Sequence, residues 1–348
     1  MSKSVGVVRS EIFLNHDTGY GHPECSERLV SIYGLLDQSG LSKELKEVEL
    51  RKASKQEICL VHSDYHYSVI ERTKGRNTYL DGDTPASADS FETALYAVGS
   101  LLALTEQVLS GKLKTGFALV RPPGHHAEQE RAMGFCLFNN IAIASAWAVK
   151  EKGLKRVLVV DFDVHHGNGT QHSFYGTDQV LYFSSHRYPF YPGTGWFNEV
   201  GEGKGEGFTV NVPLPGGAGD TELDAIYSKV LMPIAREYKP ELIMVSAGFD
   251  AYYDDPLGGM EVSEQGYARL GSIFMDLADE LCNGRLIFVL EGGYSLEGIA
   301  KCIQAIILRM IGKEKRINQL EGKPVGGLEK ILNGVYKFQK HYWKGIEI

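Results

Sequence analysis

The segment Arg156-Val-Leu-Val-Val-Asp-Phe-Asp-Val-His-His-Gly-Asn168 joins an unbroken apolar run to a polar stretch. A continuous apolar run rich in β-branched residues is typical of a strand buried on both faces of a parallel sheet. In the extended polar stretch that follows, residues two apart point to the same side of the chain. Asp161, Asp163 and His165 therefore project together, a geometry that suits a metal ion.

Six further apolar runs have the same character, and helix-like segments separate them. The runs are Val5–Val8, Gly116–Val120, Val180–Ser184, Phe208–Val212, Leu242–Val245 and Leu286–Leu290. The helix-like segments are Ser90–Leu109, Asn140–Lys150, Thr221–Tyr238, Ser263–Cys282 and Leu296–Ile311. Alternating strands and helices predict an α/β protein with helices on both faces of a sheet. No linker, repeat or composition shift divides the chain, so we expect a single domain over residues 1–348.

The bulk composition narrows the class of protein. The 348 residues include 36 basic and 44 acidic side chains, which gives a net charge of −8, and 43% are hydrophobic. This balance predicts a folded globular chain, and we expect no nucleic-acid binding because long Lys/Arg clusters are lacking. The sequence has no apolar run of 18 residues and no signal-like start, so we expect a cytoplasmic protein that does not bind membranes. Five scattered cysteines argue against a disulfide framework.

Polar segments follow four of the predicted strands, at the end where open parallel sheets bind their ligands. They are Arg121–His126, Asp161–Asn168, Ser246–Asp250 and Glu291–Tyr294. With Asp163 and His165, Asp250 would supply two oxygens and one nitrogen to a metal. This set leaves a coordination position open for water, as in catalytic zinc sites.

Two adjacent histidines and one tyrosine add further candidate chemistry. His125 and His126 suit proton transfer, since the ordinary pKa of histidine lies near 6.5. Asp161 and Asn168 are candidates to fix the tautomers of these two rings. Tyr294 follows two glycines and could donate a hydrogen bond to an oxyanion. For each residue the alternative is a structural role, as a hydrogen-bonded core pair or a buried tyrosine.

In combination these motifs resemble the zinc-dependent histone deacetylases and their bacterial and archaeal relatives, including acetylpolyamine amidohydrolases and acetoin-utilisation proteins. The resemblance runs from His16 to about Arg309. The matching motifs are Arg-Pro-Pro-Gly-His-His-Ala (121–127), Gly-Phe-Cys (134–136), Asp-Phe-Asp-Val-His-His-Gly-Asn-Gly-Thr-Gln (161–171), Tyr-Pro-Gly-Thr-Gly (191–195), Asp-Asp-Pro-Leu-Gly-Gly (254–259) and Glu-Gly-Gly-Tyr (291–294). Asn168 stands where class I enzymes carry aspartate, which looks like the class II branch.

The resemblance implies a single-domain, three-layer α/β/α fold with a mainly parallel eight-stranded sheet, the arginase/deacetylase fold. It implies zinc on Asp163, His165 and Asp250, with Fe(II) as the alternative metal in the cell. The catalytic residues it implies are His126 as general base and then acid, His125 as an electrostatic aid with Asp161 behind it, Asn168 beside the pair, and Tyr294 polarising the acyl carbonyl.

The resemblance also implies two potassium sites and a tunnel for acyl-lysine. The inner potassium site would use Asp161, Asp163, His165, Ser184 and Ser185, and the outer one would use Phe174, Thr177 and Val180. The tunnel residues would be Gly134 and Leu257, the aromatic walls Phe135 and Tyr191, Asp83 as the rim aspartate that holds the substrate backbone, and Arg28 near the acetate exit.

These features predict a metal-dependent amidohydrolase that removes acetyl or other acyl groups from acylated lysine in a protein or peptide. An acetylpolyamine or another small acylated amine is the alternative substrate, and Leu257 disfavours it because polyamine-preferring relatives can carry glutamate there. An arginase-like two-metal site would lack ligands, since Gly167 and Tyr252 stand two residues beyond His165 and Asp250. A non-catalytic protein that only binds acyl-lysine is a third hypothesis. The oligomeric state stays open, with a homo-oligomer among the options.

Overall fold

A parallel sheet forms the centre of the computed structural model, which describes residues 4–314, 317, 320 and 327–346. In chain order the strands are β1 (Val5–Val8), β2 (Lys46–Glu47), β3 (Thr78–Tyr79), β4 (Pro85–Ala86), β5 (Thr115–Ala118), β6 (Val157–Asp161), β7 (Val180–Arg187), β8 (Thr209–Leu214), β9 (Leu242–Ala247) and β10 (Leu286–Leu290). Eight of them form one sheet in the order β2-β1-β5-β10-β9-β6-β7-β8, with every pairing parallel. The predicted parallel eight-stranded sheet is confirmed.

Helices of four to twenty residues lie between these strands and after β10. They are α1 (Glu27–Gln38), α2 (Lys55–Ile58), α3 (Asp64–Glu71), α4 (Ser90–Leu109), α5 (Asn140–Lys150), α6 (Asn168–Phe174), α7 (Asp220–Ile226), α8 (Met232–Tyr238), α9 (Glu264–Leu281), α10 (Leu296–Met310) and α11 (Leu328–Gln339). The helix predicted over 221–238 is divided, because a wider backbone turn at Tyr227–Leu231 separates α7 from α8. Pro233 follows that turn and has no N–H for a regular helical hydrogen bond.

Two neighbouring residues of β5 show that helices cover both faces of the sheet. The Phe117 ring stacks on Phe288 at 5.3 Å, and Phe288 lies 6.1 Å from Phe274 of α9. A Cβ added at Gly116 would stand 2.4 Å from a methyl carbon of Leu104 in α4. Successive strand residues point to opposite faces, so α4 and α9 lie on opposite sides. The three-layer α/β/α architecture is confirmed.

The edge strand β2 was not predicted from the sequence. It consists of two exposed residues, Lys46 and Glu47, which pair with Gly6 and Val7 of β1. The central strands β6, β9 and β10 are instead buried along their whole length. Burial on both faces produces the continuous apolar runs from which those strands were predicted.

The four central strands end at nearly the same level. Ala118 of β5 pairs with Val289 of β10, and Leu290 of β10 pairs with Ala247 of β9. Asp161, the last residue of β6, pairs with Ser246. The polar segments that follow these strands therefore emerge side by side at one edge of the sheet. Within the described residues, no helix combines the length and apolar character needed to span a bilayer.

Candidate active site

Three side chains from two neighbouring strand ends converge on one point. His165 Nδ1 lies 3.1 Å from Asp163 Oδ1 and 3.2 Å from Asp250 Oδ2. One ligand atom from each residue lies within 4.8 Å of the others. Both aspartates are buried, and the His165 side chain is 12% exposed. Two carboxylate oxygens and one imidazole nitrogen form a donor set that zinc accepts.

The surroundings of this cluster fit a metal ion. The backbone N–H of Gly292 donates to Asp163 Oδ2 at 2.8 Å, and that of Val164 donates to Asp250 Oδ1 at 2.9 Å. A Cβ at Gly292 would stand 2.2 Å from Asp250 Oδ2, so only glycine allows this approach. Burial and then the Asp163 carboxylate raise the pKa of Asp250. A divalent cation would relieve that cost by compensating both carboxylates.

The histidine pair lies beside the metal ligands, and each ring has its own partner. His125 Nδ1 is 3.1 Å from Asp161 Oδ2, which also accepts a hydrogen bond from the Tyr182 hydroxyl at 3.0 Å. His126 Nδ1 is 2.8 Å from Asn168 Oδ1. All of these side chains are buried. The structure therefore brings each histidine to the partner that the sequence suggested for it.

The two histidines have opposite electrostatic surroundings. Burial opposes protonation of His125, but the carboxylates of Asp163 and Asp161 outweigh it and raise its pKa to about 10. Burial, then the His125 and His165 imidazoles, hold the pKa of His126 well below its usual range. These surroundings favour the protonated form of His125 and the neutral form of His126, and a neutral imidazole can accept a proton.

A cavity of about 230 Å³ opens from this cluster towards the solvent. The buried rings of His125 and His126 line its inner end, together with half-buried Tyr294. Exposed Asp83 and Leu257 lie at its mouth. The predicted site residues from the strand ends and from the mouth therefore share one cavity.

Aromatic rings form the walls between the two ends of the cavity. Tyr191 meets the His126 ring edge-on at 5.1 Å. Phe190, which was not among the predicted residues, stacks on His165 at 5.2 Å with an interplanar angle of 13°. The sequence could have revealed Phe190 as a wall residue, because it stands next to Tyr191 in an aromatic pair. The wall on this side is therefore built from two rings.

The opposite wall depends on an unusual backbone turn. Gly134 and Phe135 have φ values of +55° and +69°, and a Cβ at Gly134 would stand 2.4 Å from His126 Cδ2. The turn presents the Phe135 ring edge-on to Tyr294, with 6.0 Å between centroids. The backbone N–H of Tyr294 is fixed by Asp255 Oδ2 at 2.6 Å. Because glycine tolerates positive φ, Gly134 lets the wall approach the histidine closely.

Arg28 lies behind the cavity and not in its lining. Its guanidinium is fully buried, donates to the Gly293 carbonyl at 2.7 Å and sits 5.2 Å from the Tyr294 ring. It pairs with Glu24 Oε1 at 2.9 Å, and Arg121 pairs with the same carboxylate. Arg28 therefore acts on the site through its contact with Tyr294. It belongs to a buried ion cluster that the sequence did not reveal.

A second buried carboxylate holds the histidine segment in place. Glu291 Oε2 accepts hydrogen bonds from the backbone N–H groups of Gly124, at 2.6 Å, and His125, at 3.2 Å. Its Oε1 accepts from the Ser246 hydroxyl at 3.0 Å. Glu291 was part of a predicted motif but was given no role. Its position directly after β10 could have indicated this supporting role from the sequence.

The residues of the two expected potassium sites come from the end of β6 and the residues just after it, from β7, and from the segment between the end of α6 and β7. Ser184 pairs with Asp161 across β6 and β7, and its Oγ is 2.9 Å from His186 Nδ1. Ser185 Oγ is 2.8 Å from the Tyr227 hydroxyl. The outer set runs from the end of α6 to the start of β7, where the Thr177 N–H donates to the Phe174 carbonyl and Val180 begins the strand. Potassium binding at either set stays a prediction.

Comparison with known proteins identifies the family. The histone deacetylase domain model matches residues 22–310. Histone deacetylase 5 of Arabidopsis thaliana is 39% identical over 363 residues, covering 99% of this chain and 54% of that protein. A probable deacetylase of Archaeoglobus fulgidus is 39% identical over 295 residues, covering 84% of this chain and 82% of that protein. The crystal structure of the HDA15 HD domain matches with a TM-score of 0.91 at 39% identity, covering 99% of this chain and 96% of that one.

The chain spans about half the length of the Arabidopsis relative, while its match to the HD domain structure is nearly complete. The family predicted from the motifs is therefore confirmed. The chain belongs to the histone deacetylase domain family, a family of hydrolases, with an Asp-His-Asp metal-binding triad in place.

Proposed function

We propose that the protein is a zinc-dependent deacetylase that hydrolyses the amide of an acylated lysine side chain in a protein or peptide. One observation carries this proposal. The Asp-His-Asp cluster, a neutral histidine and a tyrosine phenol meet at the inner end of one narrow, aromatic-walled cavity. Amide hydrolysis requires a polarised carbonyl, a base for water and an acid for the leaving amine, and this set of groups can supply all three.

Each side chain has a distinct task in the proposed reaction. Bound zinc would supply Lewis acidity to the acyl oxygen and lower the pKa of water. His126, whose Nδ1 faces Asn168, accepts a proton from the attacking water at Nε2 and returns it to the leaving nitrogen. The C–N bond breaks, and the products are a carboxylate and a free amine. Tyr294 donates to the acyl oxygen as it gains negative charge, and protonated His125 adds positive charge nearby.

The size and lining of the cavity favour a linear acylated side chain. Its volume of about 230 Å³ lies below the roughly 300–1,000 Å³ of pockets for drug-sized ligands. Phe135 and Tyr191 would contact the methylene groups of lysine, and Asp83 at the mouth would accept a backbone N–H of the substrate. Leu257 offers no charge to a second ammonium, which favours acyl-lysine over an acetylpolyamine.

The proposal includes further parts that the sequence suggested. The catalytic domain is one unit over residues 1–348, and the protein acts in the cytoplasm. Zinc is the metal of the triad, with Fe(II) as the cellular alternative. Potassium is proposed at the inner and outer sets of residues named above. The in-register pairing of Asp161, the last residue of β6, with Ser184 of β7 supports the inner set, because it places the two residues side by side on neighbouring strands.

Substrate profiling of the purified protein tests the proposed function. Zinc-loaded protein is assayed with an acetyl-lysine peptide, the same peptide carrying longer acyl groups, and acetylspermidine. We expect the highest kcat/KM for an acyl-lysine peptide, loss of activity after chelation and recovery with zinc. Faster hydrolysis of acetylspermidine would favour the polyamine alternative. Tight binding of the acetyl-lysine peptide without any hydrolysis would favour the non-catalytic hypothesis.

A further inference from the structure

A chain of hydrogen bonds leads from His126 to the protein surface. His126 Nδ1 is 2.8 Å from Asn168 Oδ1, and Asn168 Nδ2 donates to Glu128 Oε1. His172 Nδ1 lies 2.8 Å from the same Glu128 oxygen and 3.0 Å from the other. Exposure rises along this chain, from buried His126 and Asn168 to an 18% exposed Glu128 and a 50% exposed His172 side chain.

The carboxylate of Glu128 decides which way the Asn168 amide faces. An ionised carboxylate only accepts hydrogen bonds, so it must take the amide N–H₂ of Asn168. The amide oxygen then faces His126 Nδ1, which must carry a hydrogen in order to donate to it. Nε2 of His126 keeps its lone pair. With Asn168 turned over, its N–H₂ would face Nδ1 and favour the tautomer with hydrogen on Nε2, which cannot act as a base.

We propose that Glu128 is a positioning residue for the proton-transfer histidine: it acts through Asn168 and holds His126 in the tautomer that accepts a proton at Nε2. His172 orients Glu128 from the surface side. This inference rests on the proposed function only for the activity measurements. The tautomer of His126 is a property of the resting protein and can be observed without them. The competing explanation is that Glu128 and His172 form a surface ion pair that contributes only to stability.

Glu128→Leu removes the nearest acceptor of the Asn168 amide N–H₂ and leaves it only two distant ones, the His126 carbonyl at 3.4 Å and Met133 Sδ at 3.5 Å, so the amide can turn. In the zinc-loaded protein we expect the ¹⁵N NMR signals of His126 to change from a single Nδ1–H tautomer to a mixture. We expect kcat on the acetyl-lysine peptide to fall about tenfold, at the lower end of the roughly 10–100-fold effects of such supporting residues. KM should stay within about twofold, since Glu128 does not line the cavity. Glu130→Leu, two positions along in the same exposed loop, is the matched control and should change neither readout.

A second substitution separates positioning from stability. Aspartate has two acceptor oxygens and needs no fixed orientation, so Asn168→Asp in the Glu128→Leu background should restore both the tautomer and most of kcat. Glu128→Gln keeps one acceptor oxygen and should fall between wild type and Glu128→Leu, which provides the test if the leucine variant does not fold. An unchanged His126 tautomer in the folded variants would overturn the proposal. Absent hydrolysis by wild type, with the expected NMR changes, would instead refute the proposed function and leave this inference standing.

Discussion

Replacing Gly292 with alanine should strongly weaken zinc binding and abolish most activity. The new Cβ would stand 2.2 Å from Asp250 Oδ2 and 2.6 Å from Asp163 Oδ2, whereas real Cβ atoms essentially never come within 3.0 Å of such neighbours. One metal-ligand oxygen must therefore move by about 0.8 Å and the other by about 0.4 Å, or the backbone must shift by a similar distance.

Hydrogen bonds leave the two carboxylates little room to retreat. Asp163 accepts from the N–H groups of Gly292 and His165, and Asp250 accepts from the N–H of Val164. A misplacement near 1 Å in a catalytic site costs on the order of 100-fold. We therefore expect kcat/KM to fall about 100-fold, which corresponds to about 2.7 kcal/mol of transition-state stabilisation.

Zinc affinity by chelator competition and peptide turnover measure this effect. Gly34→Ala in α1 is the matched control, because its Cβ would meet nothing nearer than Gln38 Nε2 at 4.0 Å. That variant should bind zinc normally and be more stable by roughly 0.5–1 kcal/mol, the usual gain for alanine over glycine in a helix. The reasoning is refuted if Gly292→Ala keeps both zinc affinity and kcat/KM within threefold of wild type.

Three further predictions follow from the same site. Tyr294→Phe should retain zinc and lose about 100–1,000-fold in kcat, as expected for one oxyanion donor; near-normal peptide turnover would exclude the phenol from the reaction. Leu257→Glu should raise the ratio of kcat/KM for acetylspermidine to kcat/KM for the acetyl-lysine peptide by about tenfold, because the new carboxylate attracts the second ammonium. An unchanged ratio in competition assays would contradict the role assigned to Leu257 at the mouth of the cavity. Burial favours the neutral form of Glu24, but Arg121 and Arg28 outweigh it and lower its pKa from 4.5 to about 2. Its contribution to stability is therefore complete above pH 4.5 and lost as the pH falls towards 2. Urea unfolding of wild type should show this loss of stability at low pH. Glu24→Gln should lack it, and its free energy of unfolding at pH 7 should be lower than that of wild type by roughly 3–5 kcal/mol. Equal pH profiles for the two proteins would refute the assignment.

The strands and helices in the interior of the fold could be predicted from the sequence, but the edge strand β2 could not. β1 and β10 have the predicted ends, as do α4 and α5, because burial on both faces or along a wide helix face leaves long apolar patterns. β2 has no such pattern, since Lys46–Glu47 joins the sheet through backbone hydrogen bonds alone. A strand that buries no side chain leaves no signal in residue types.

For the candidate site, the motifs located the residues that reach the cavity and the partners of the two histidines, Asp161 and Asn168, but they gave no role to three glutamates that hold the surrounding groups in place. Glu24, Glu128 and Glu291 accept hydrogen bonds from Arg121, Asn168 and the Gly124 N–H, which lie 97, 40 and 167 residues away in sequence. Isolated glutamates such as Glu24 and Glu128 look like solvated surface groups in an acidic chain. Their pairing with buried partners depends on the packing of loops, which no local pattern encodes.

The place of β10 in the sheet has a consequence for biosynthesis. In the part of the chain that the structure describes, β10 is the last strand, yet it lies between β5 and β9. Until residues 286–290 leave the ribosome, the nascent sheet has a gap with two open edges, and such edges can pair with other chains. Glu291 and Tyr294 emerge directly after that strand. We expect the growing polypeptide to acquire the complete site only when nearly the whole domain has been translated, so truncated products should be inactive and prone to aggregate.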